Sequence, residues 1–160
     1  MAEGTAFVSE EAKDMTAIHI INGETWLICG GRDFTDQAMF DDAMNRLIEM
    51  WGLPARIVHG AATGADAMAD RWGRHYVIDV VRVPAEWEQH GLFAGPKRNW
   101  QMLTEYKPQR VIGFPGGKGT ASMIVMAKKQ RDTVWPQLTV VEIKKAEHLS
   151  DRPKLGRKSQ

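Results

Sequence analysis

The sequence predicts an α/β protein: a mostly parallel sheet of about five to six strands, with helices on both faces, in a single domain. Short apolar runs alternate with segments of ten to fifteen residues whose apolar positions recur at helical spacing. Three of those runs end in loops of small residues, Gly30-Gly-Arg-Asp33, His59-Gly-Ala-Ala-Thr-Gly64 and Pro115-Gly-Gly-Lys-Gly-Thr120. The length, 160 residues with 43% hydrophobic content, suits one domain with a substantial core.

The elements follow in order. Residues 1–16 are polar and aperiodic and are expected to be mobile, and 17–21 could add an edge strand before the Asn22-Gly23 turn signal. Thr25–Cys29 reads as the first buried strand. Thr35 is the expected N-cap of a helix whose stripe is Phe40, Ala43, Met44, Leu47, Ile48 and Trp51, ended by Gly52 and Pro54. Arg56–His59 is a second strand, followed by a helix with the stripe Ala65, Met68, Ala69, Trp72 and Tyr76. Residues 79–83 make a third strand, stopped by Pro84, and 85–95 read as a long connection. Pro96, at the favoured first helical position, opens a helix running to about Tyr106. Residues 111–114 form a strand that breaks at Pro115, the apolar run 121–127 belongs to the next helix, and 138–143 form a further strand. The domain is bounded at 17–146, and 147–160 is a basic tail carrying Arg152, Lys154, Arg157 and Lys158.

Composition narrows the function. A net charge of +1 does not announce a nucleic-acid binder, and nucleic acid is not the expected partner. Cys29 is the only cysteine, so an intrachain disulfide and a multi-cysteine metal site are excluded, and its apolar surroundings read it as a core residue. No apolar run of spanning length appears and the N-terminus does not resemble a signal peptide, so a cytoplasmic protein is expected. His59, His75 and His90 lack ligand spacing, so no metal site is expected; magnesium accompanying a phosphate stays open.

The chemistry sits in the loops. Strand, glycine loop, helix is the order in which α/β proteins present backbone N–H groups to an anion: glycine lets a phosphate approach, and the helix N-terminus adds partial positive charge. A tight turn is the alternative for any one loop; three at the carboxyl ends of strands make the stronger signal. Walker and dinucleotide spacings are both absent. Lys97 and Arg98 fall in the expected first turn of the Pro96 helix, where cations are disfavoured unless an anion binds; they could also be two solvated charges. Asp66 fits a capping box with Thr63 or a contact to a ligand hydroxyl. His59 could bond a ligand or be a satisfied rim histidine. Glu86 and Trp87 could close over a ligand, with the indole stacking on a base, or form an ordinary solvated loop.

Five ordered motifs, Gly30-Gly-Arg-Asp-Phe34, His59-Gly-Ala-x-x-Gly-Ala-Asp66, Val83-Pro-Ala-x-Trp87, Gly95-Pro-x-Arg-Asn99 and Phe114-Pro-Gly-Gly-x-Gly-Thr120, resemble the YspA (cpYpsA-related) branch of the SLOG superfamily. The resemblance covers roughly residues 25–143. It implies a Rossmann-like sheet and a nucleotide-derived ligand, since relatives include LOG-type phosphoribohydrolases, the single-strand-DNA loader DprA and sensors of cyclised ADP-ribose. By resemblance, Gly116, Gly117, Gly119 and Thr120 would hold a phosphate, and Gly30, Gly31, Arg32, Asp33, Gly64, Asp66, Arg98 and Asn99 would line the pocket. The LOG-type pair of glutamates is missing, because Ala121-Ser122-Met123 follows the glycine loop. Glycosidic hydrolysis would then need Glu86, Asp33 or Asp66 from other loops.

The expected function is binding of a phosphorylated, nucleotide-derived small molecule (AMP-, ADP-ribose- or cyclic ADP-ribose-like) at the carboxyl rim, as a sensor or sequestering protein. One alternative is an N-glycosidic phosphoribohydrolase acting on a nucleoside monophosphate. A second is DprA-like binding of single-stranded DNA. The resemblance, with Trp51, Trp100 and Trp135 as interface or interior residues, suggests a homo-oligomer, a dimer or larger.

Overall fold

A computed structural model describes residues 21–145. The expected segment 1–16, most of the expected edge strand 17–21 and the basic tail 147–160 lie outside the described residues; Ile21 makes an isolated parallel bridge to Leu53.

Five parallel strands, β1 (Thr25–Cys29), β2 (Arg56–His59), β3 (Asp79–Arg82), β4 (Arg110–Gly113) and β5 (Thr139–Glu142), form one sheet in the order β3-β2-β1-β4-β5. In register, Leu27 on central β1 faces Val58 on one side and Val111 on the other. The chain winds from β1 outward to β3, then crosses back over β1 to β4 and β5. This is a doubly wound, Rossmann-like α/β arrangement, with its switch point between β1 and β4.

The helices are α1 (Gln37–Trp51), α2 (Ala65–His75), α3 (Trp87–His90), α4 (Ala94–Tyr106) and α5 (Lys118–Thr133), with a 3₁₀ turn at Gly91–Phe93. Period-two alternation of β1 sorts them into two layers. Trp26 and Ile28 pack with α1 and α2 through Phe40, Met44, Ala69 and Trp72, whereas Leu27 and Cys29 pack with α4 and α5 through Met102, Leu103, Met123 and Ala127. Residues such as Phe40 and Leu27, fully withdrawn from water, each contribute roughly 1.5–3 kcal/mol. The edge strands β3 and β5 stay only half-buried, with Asp79, Arg82 and Glu142 exposed. Trp51 meets Trp26 edge-on and lies under the Arg110 guanidinium, and Trp135 packs against the second layer, so both tryptophans belong to the fold; Trp100 stays half-exposed.

Four local expectations are corrected. The N-cap of α1 is Asp36, not Thr35: its Oδ1 accepts from Met39 N–H at 3.0 Å. The capping box at Thr63 and Asp66 does not form, because Gly64 is the N-cap of α2 and the Thr63 hydroxyl donates instead to Arg32 O at 3.0 Å. Residues 85–95 are not one open connection but contain α3 and the 3₁₀ turn. Finally, α4 starts at Ala94, so Pro96 is its third residue and Lys97 and Arg98 lie just beyond the first three positions. Proline fits there because no N–H in the first turn has an intrahelical acceptor. No helix among the described residues is long and apolar enough to cross a membrane.

Candidate functional site

The loops after β1 and β4 part on opposite sides of the sheet and leave a crevice at the carboxyl rim. Gly31 is its junction. Its N–H donates to Pro115 O at 2.9 Å, and its carbonyl accepts from Phe34 N–H and Ala65 N–H, both at 3.2 Å. Phe34 and Phe40 pack on Phe114, with ring centroids 5.5 and 4.7 Å apart, so both loops are anchored to one aromatic cluster. Gly64 completes the junction at φ 73°, with the place of a side chain taken by Gly31 O.

The resulting open cleft has a volume of about 1350 Å³. That exceeds the roughly 300–1,000 Å³ of a site for a drug-sized ligand. On its lining the structure brings together Gly30, Gly31, Arg32, Asp33, Asp66, Trp87, Arg98, Asn99, Gly116, Gly117, Gly119 and Thr120. Three residues singled out in the sequence lie elsewhere. His59 is buried behind the loop that follows β2, Gly64 is packed on Gly31, and Glu86 points to a separate hollow of about 200 Å³, 3.4 Å from His90.

The glycines divide into two kinds. A Cβ on Gly30, Gly31 or Gly116 would strike Ala65, Pro115 O or Thr120 respectively, so these glycines permit close packing of the rim. Gly117 and Gly119 have nothing within 4 Å of a built Cβ. Gly117 caps α5, and Ala121 N–H donates back to Gly117 O at 3.0 Å. The N–H groups of 118–120 therefore precede the first intrahelical donor and sit on the positive end of a 16-residue helix facing open cleft.

Opposite them, α4 supplies Arg98 and Asn99. Arg98 Nη1 donates to Gly60 O at 2.6 Å and its Nε to Asn99 Oδ1 at 3.1 Å, while Asn99 Nδ2 donates to Gly119 O at 3.2 Å. The α4 start is thus tied both to the β2 loop and to the α5 start. Asp66, 5% exposed, accepts from Ala62 N–H at 3.1 Å. Burial raises its pKa above the usual carboxylate value, against the hydrogen bond from Ala62 and the charge of Arg98. Burial likewise lowers that of Arg98, which Asp66 opposes. At the outer wall the Arg32 guanidinium lies 5.2 Å from the Trp87 ring centroid.

Several lining residues were not singled out as ligand-site residues from the sequence. Cys29 combines its core role with a place on the cleft floor, where burial pushes its thiol up to about 12, helped by Asp66 and opposed by Arg98. The alternation of β1 could have shown which layer it faces. Met39, Lys118, Glu142, Lys144 and Lys145 also line the cleft, the last three through the end of β5, a contribution that no local motif announces. Glu142 bonds Lys128 at 3.0 Å, which holds its carboxyl below the usual range. No group of three or more His, Cys, Asp or Glu side chains among the described residues is arranged to hold a metal.

Comparison with known proteins gives two matches. The family described as YspA, cpYpsA-related SLOG matches residues 27–90, from β1 to the end of α3. The Gene 61 protein of Mycobacterium phage D29 is 31% identical over 112 residues, covering 66% of this chain and 87% of that protein. No solved structure matches.

Proposed function

The chain belongs to the YspA, cpYpsA-related SLOG family, and on that footing we propose that it binds a phosphorylated, nucleotide-derived small molecule at the carboxyl rim of its sheet. The observation that carries this reading is the open backbone at Gly117 and Gly119, where the first turn of α5 faces the cleft opposite Arg98. A phosphate rests on the 116–120 loop within reach of Arg98 and Lys118, and a base or second ribose lies toward Arg32, Asp33 and Trp87. The cleft volume accommodates ADP-ribose or a cyclised form as well as AMP. The protein then serves as a sensor or a sequestering protein in the cytoplasm, and any magnesium arrives with the ligand's phosphates. The exposure of Leu92 and Phe93, 91% and 79%, together with half-exposed Trp100, supports self-association as a dimer or larger assembly.

A second reading is favoured by Asp66, a buried carboxyl on the cleft lining whose raised pKa suits a proton donor. In N-glycosidic hydrolysis of a nucleoside monophosphate, water oxygen bonds to the anomeric carbon, the bond to the base nitrogen breaks, and the base leaves with a proton. Asp66 would supply that proton and Asp33 would take one from water; Glu86 lies outside the cleft lining.

Incubation with AMP, ADP-ribose and cyclic ADP-ribose, followed by filtration and mass spectrometry of both fractions, separates the two readings. Intact ligand recovered with the protein is the expected result. Free base with ribose phosphate establishes turnover instead, and retention of none of the three removes the binding proposal.

A further inference from the structure

His59 ends β2 yet is only 1% exposed and does not line the cleft. A backbone N–H can only donate, so Ala61 N–H, 3.0 Å from Nδ1, makes that nitrogen the acceptor. The ring proton then sits on Nε2 and is donated to Asp70 Oδ2 at 2.7 Å. Asp70 is braced in turn by Arg74 at 2.6 Å and Arg82 at 3.4 Å. The imidazole is therefore fixed at both nitrogens.

Ala61 has φ 57°, a left-handed backbone that is unfavourable for a residue with a Cβ and persists only where its surroundings impose it. The bond to His59 is such a constraint. The two neighbours of Ala61 carry the contacts of the cleft: Gly60 O accepts from Arg98 Nη1 at 2.6 Å, and Ala62 N–H donates to Asp66 Oδ2 at 3.1 Å. The guanidinium also occupies the space where a Gly60 side chain would stand. A shift of this three-residue segment moves the partners of both charged groups together.

We propose that His59 is a positioning residue, which sets Arg98 and Asp66 in the cleft by clamping Ala61 between α2 and the loop. What Arg98 is positioned to grip, a ligand phosphate, rests on the function proposed above.

The test uses the full chain and its His59→Asn and His59→Gln variants, with ADP-ribose as probe in titration calorimetry. Ligand-free ¹⁵N–¹H spectra follow the Arg98 Nε–H, assigned by its loss in Arg98→Lys. Asparagine can offer Oδ1 where Nδ1 stood, so His59→Asn keeps the Arg98 signal and binds within about threefold of the parent. Glutamine reaches Asp70 but leaves Ala61 N–H unmatched, so His59→Gln loses the signal and about tenfold or more in affinity. Retention of both signal and affinity in His59→Gln overturns the proposal, as do equal losses in the two variants that track their thermal midpoints. If the parent chain fails to bind ADP-ribose while the Arg98 signal still separates the variants, the ligand reading falls and the positioning role stands. Should His59→Gln not fold, Asp70→Ala releases the ring from its other side, and an unchanged Arg98 signal there overturns the clamp.

Discussion

Gly31 and Gly116 touch across the crevice between β1 and β4: a Cβ on Gly31 would lie 3.0 Å from the Gly116 Cα, and one on Gly116 would lie 2.6 Å from Gly31 N. Two glycine loops that look alike in sequence therefore serve partly to let the rim close on itself, and only part of the glycine set faces the open cleft.

This division is measurable. Gly116→Ala is expected to cost about 1–3 kcal/mol, since backbone and the Thr120 side chain must move. Gly117→Ala meets no neighbour, yet it sits at the N-cap of α5, where glycine is preferred to alanine, and should cost about 0.5–1 kcal/mol. Gly119→Ala, inside the first turn of α5, should raise stability by about 0.5–1 kcal/mol through helix propensity. Gly117→Ala and Gly119→Ala should nevertheless weaken ADP-ribose binding, because each puts a methyl group in front of the N–H groups of α5. Urea denaturation and calorimetry on the three variants check both halves; unchanged affinity in Gly119→Ala would remove the phosphate from this helix start.

Cys29 offers a reporter on the cleft floor. With its thiol pushed up to about 12 from 9.0, its thiolate is roughly a thousandfold scarcer near neutral pH than that of an ordinary cysteine. Iodoacetamide should therefore label it slowly in the folded protein. Asp66 raises the thiol's pKa and Arg98 lowers it, so Asp66→Asn should speed labelling and Arg98→Gln should slow it. Labelling rates followed by mass spectrometry decide the order; the reverse order would contradict the arrangement of these three groups.

Asp70 and Asp66 pull stability in opposite directions with pH. For Asp70 burial raises the pKa, but the hydrogen bond from His59 and the charges of Arg74 and Arg82 outweigh it, and the net value is lowered. Its contribution is present above the ordinary 3.8 and is lost as pH falls through the lower folded value. Asp66 is raised, so its contribution is complete below 3.8 and is lost as pH rises through the folded value. Relative to the parent, Asp70→Asn should cost most near neutrality, with the gap closing in acid. Asp66→Asn should instead gain on the parent as pH rises. Urea midpoints from about pH 3 to about pH 8 give both slopes.

The exposed corner at Leu92 and Phe93 makes a separate prediction. Replacing both by serine should leave the thermal midpoint of the protomer nearly unchanged, because neither side chain is buried, while reducing the mass measured by light scattering to that of one chain. An assembly that survives the double substitution uses another surface.

Much of the scaffold was readable in the sequence because it is local. Thr25–Cys29 and Arg56–His59 are apolar runs bracketed by polar and glycine residues, and both strands have those limits. Asp36 displaced Thr35 as cap because neighbouring oxygen-bearing residues compete for the same amide, and geometry picks the winner. Pro96 misplaced the start of α4 because proline tolerates the whole first turn. The cleft was legible as three loops on one rim. Its detailed joinery was not, because the Gly31 to Pro115 and Asn99 to Gly119 bonds join residues distant in sequence, and the local bond from Ala61 to His59 follows no repeating pattern.

The strand order also bears on when the site comes into being. Thr25 N–H is bonded to Gln109 Oε1, 84 positions further on, and β4 takes its place beside β1 only after β2 and β3 have been made. A chain emerging from the ribosome can assemble β1, β2 and β3 by near-neighbour pairing, yet it still lacks one wall of the cleft. The cleft is thus complete only with the docking of β4 and α5, and a ligand of the kind proposed above would act on that last step.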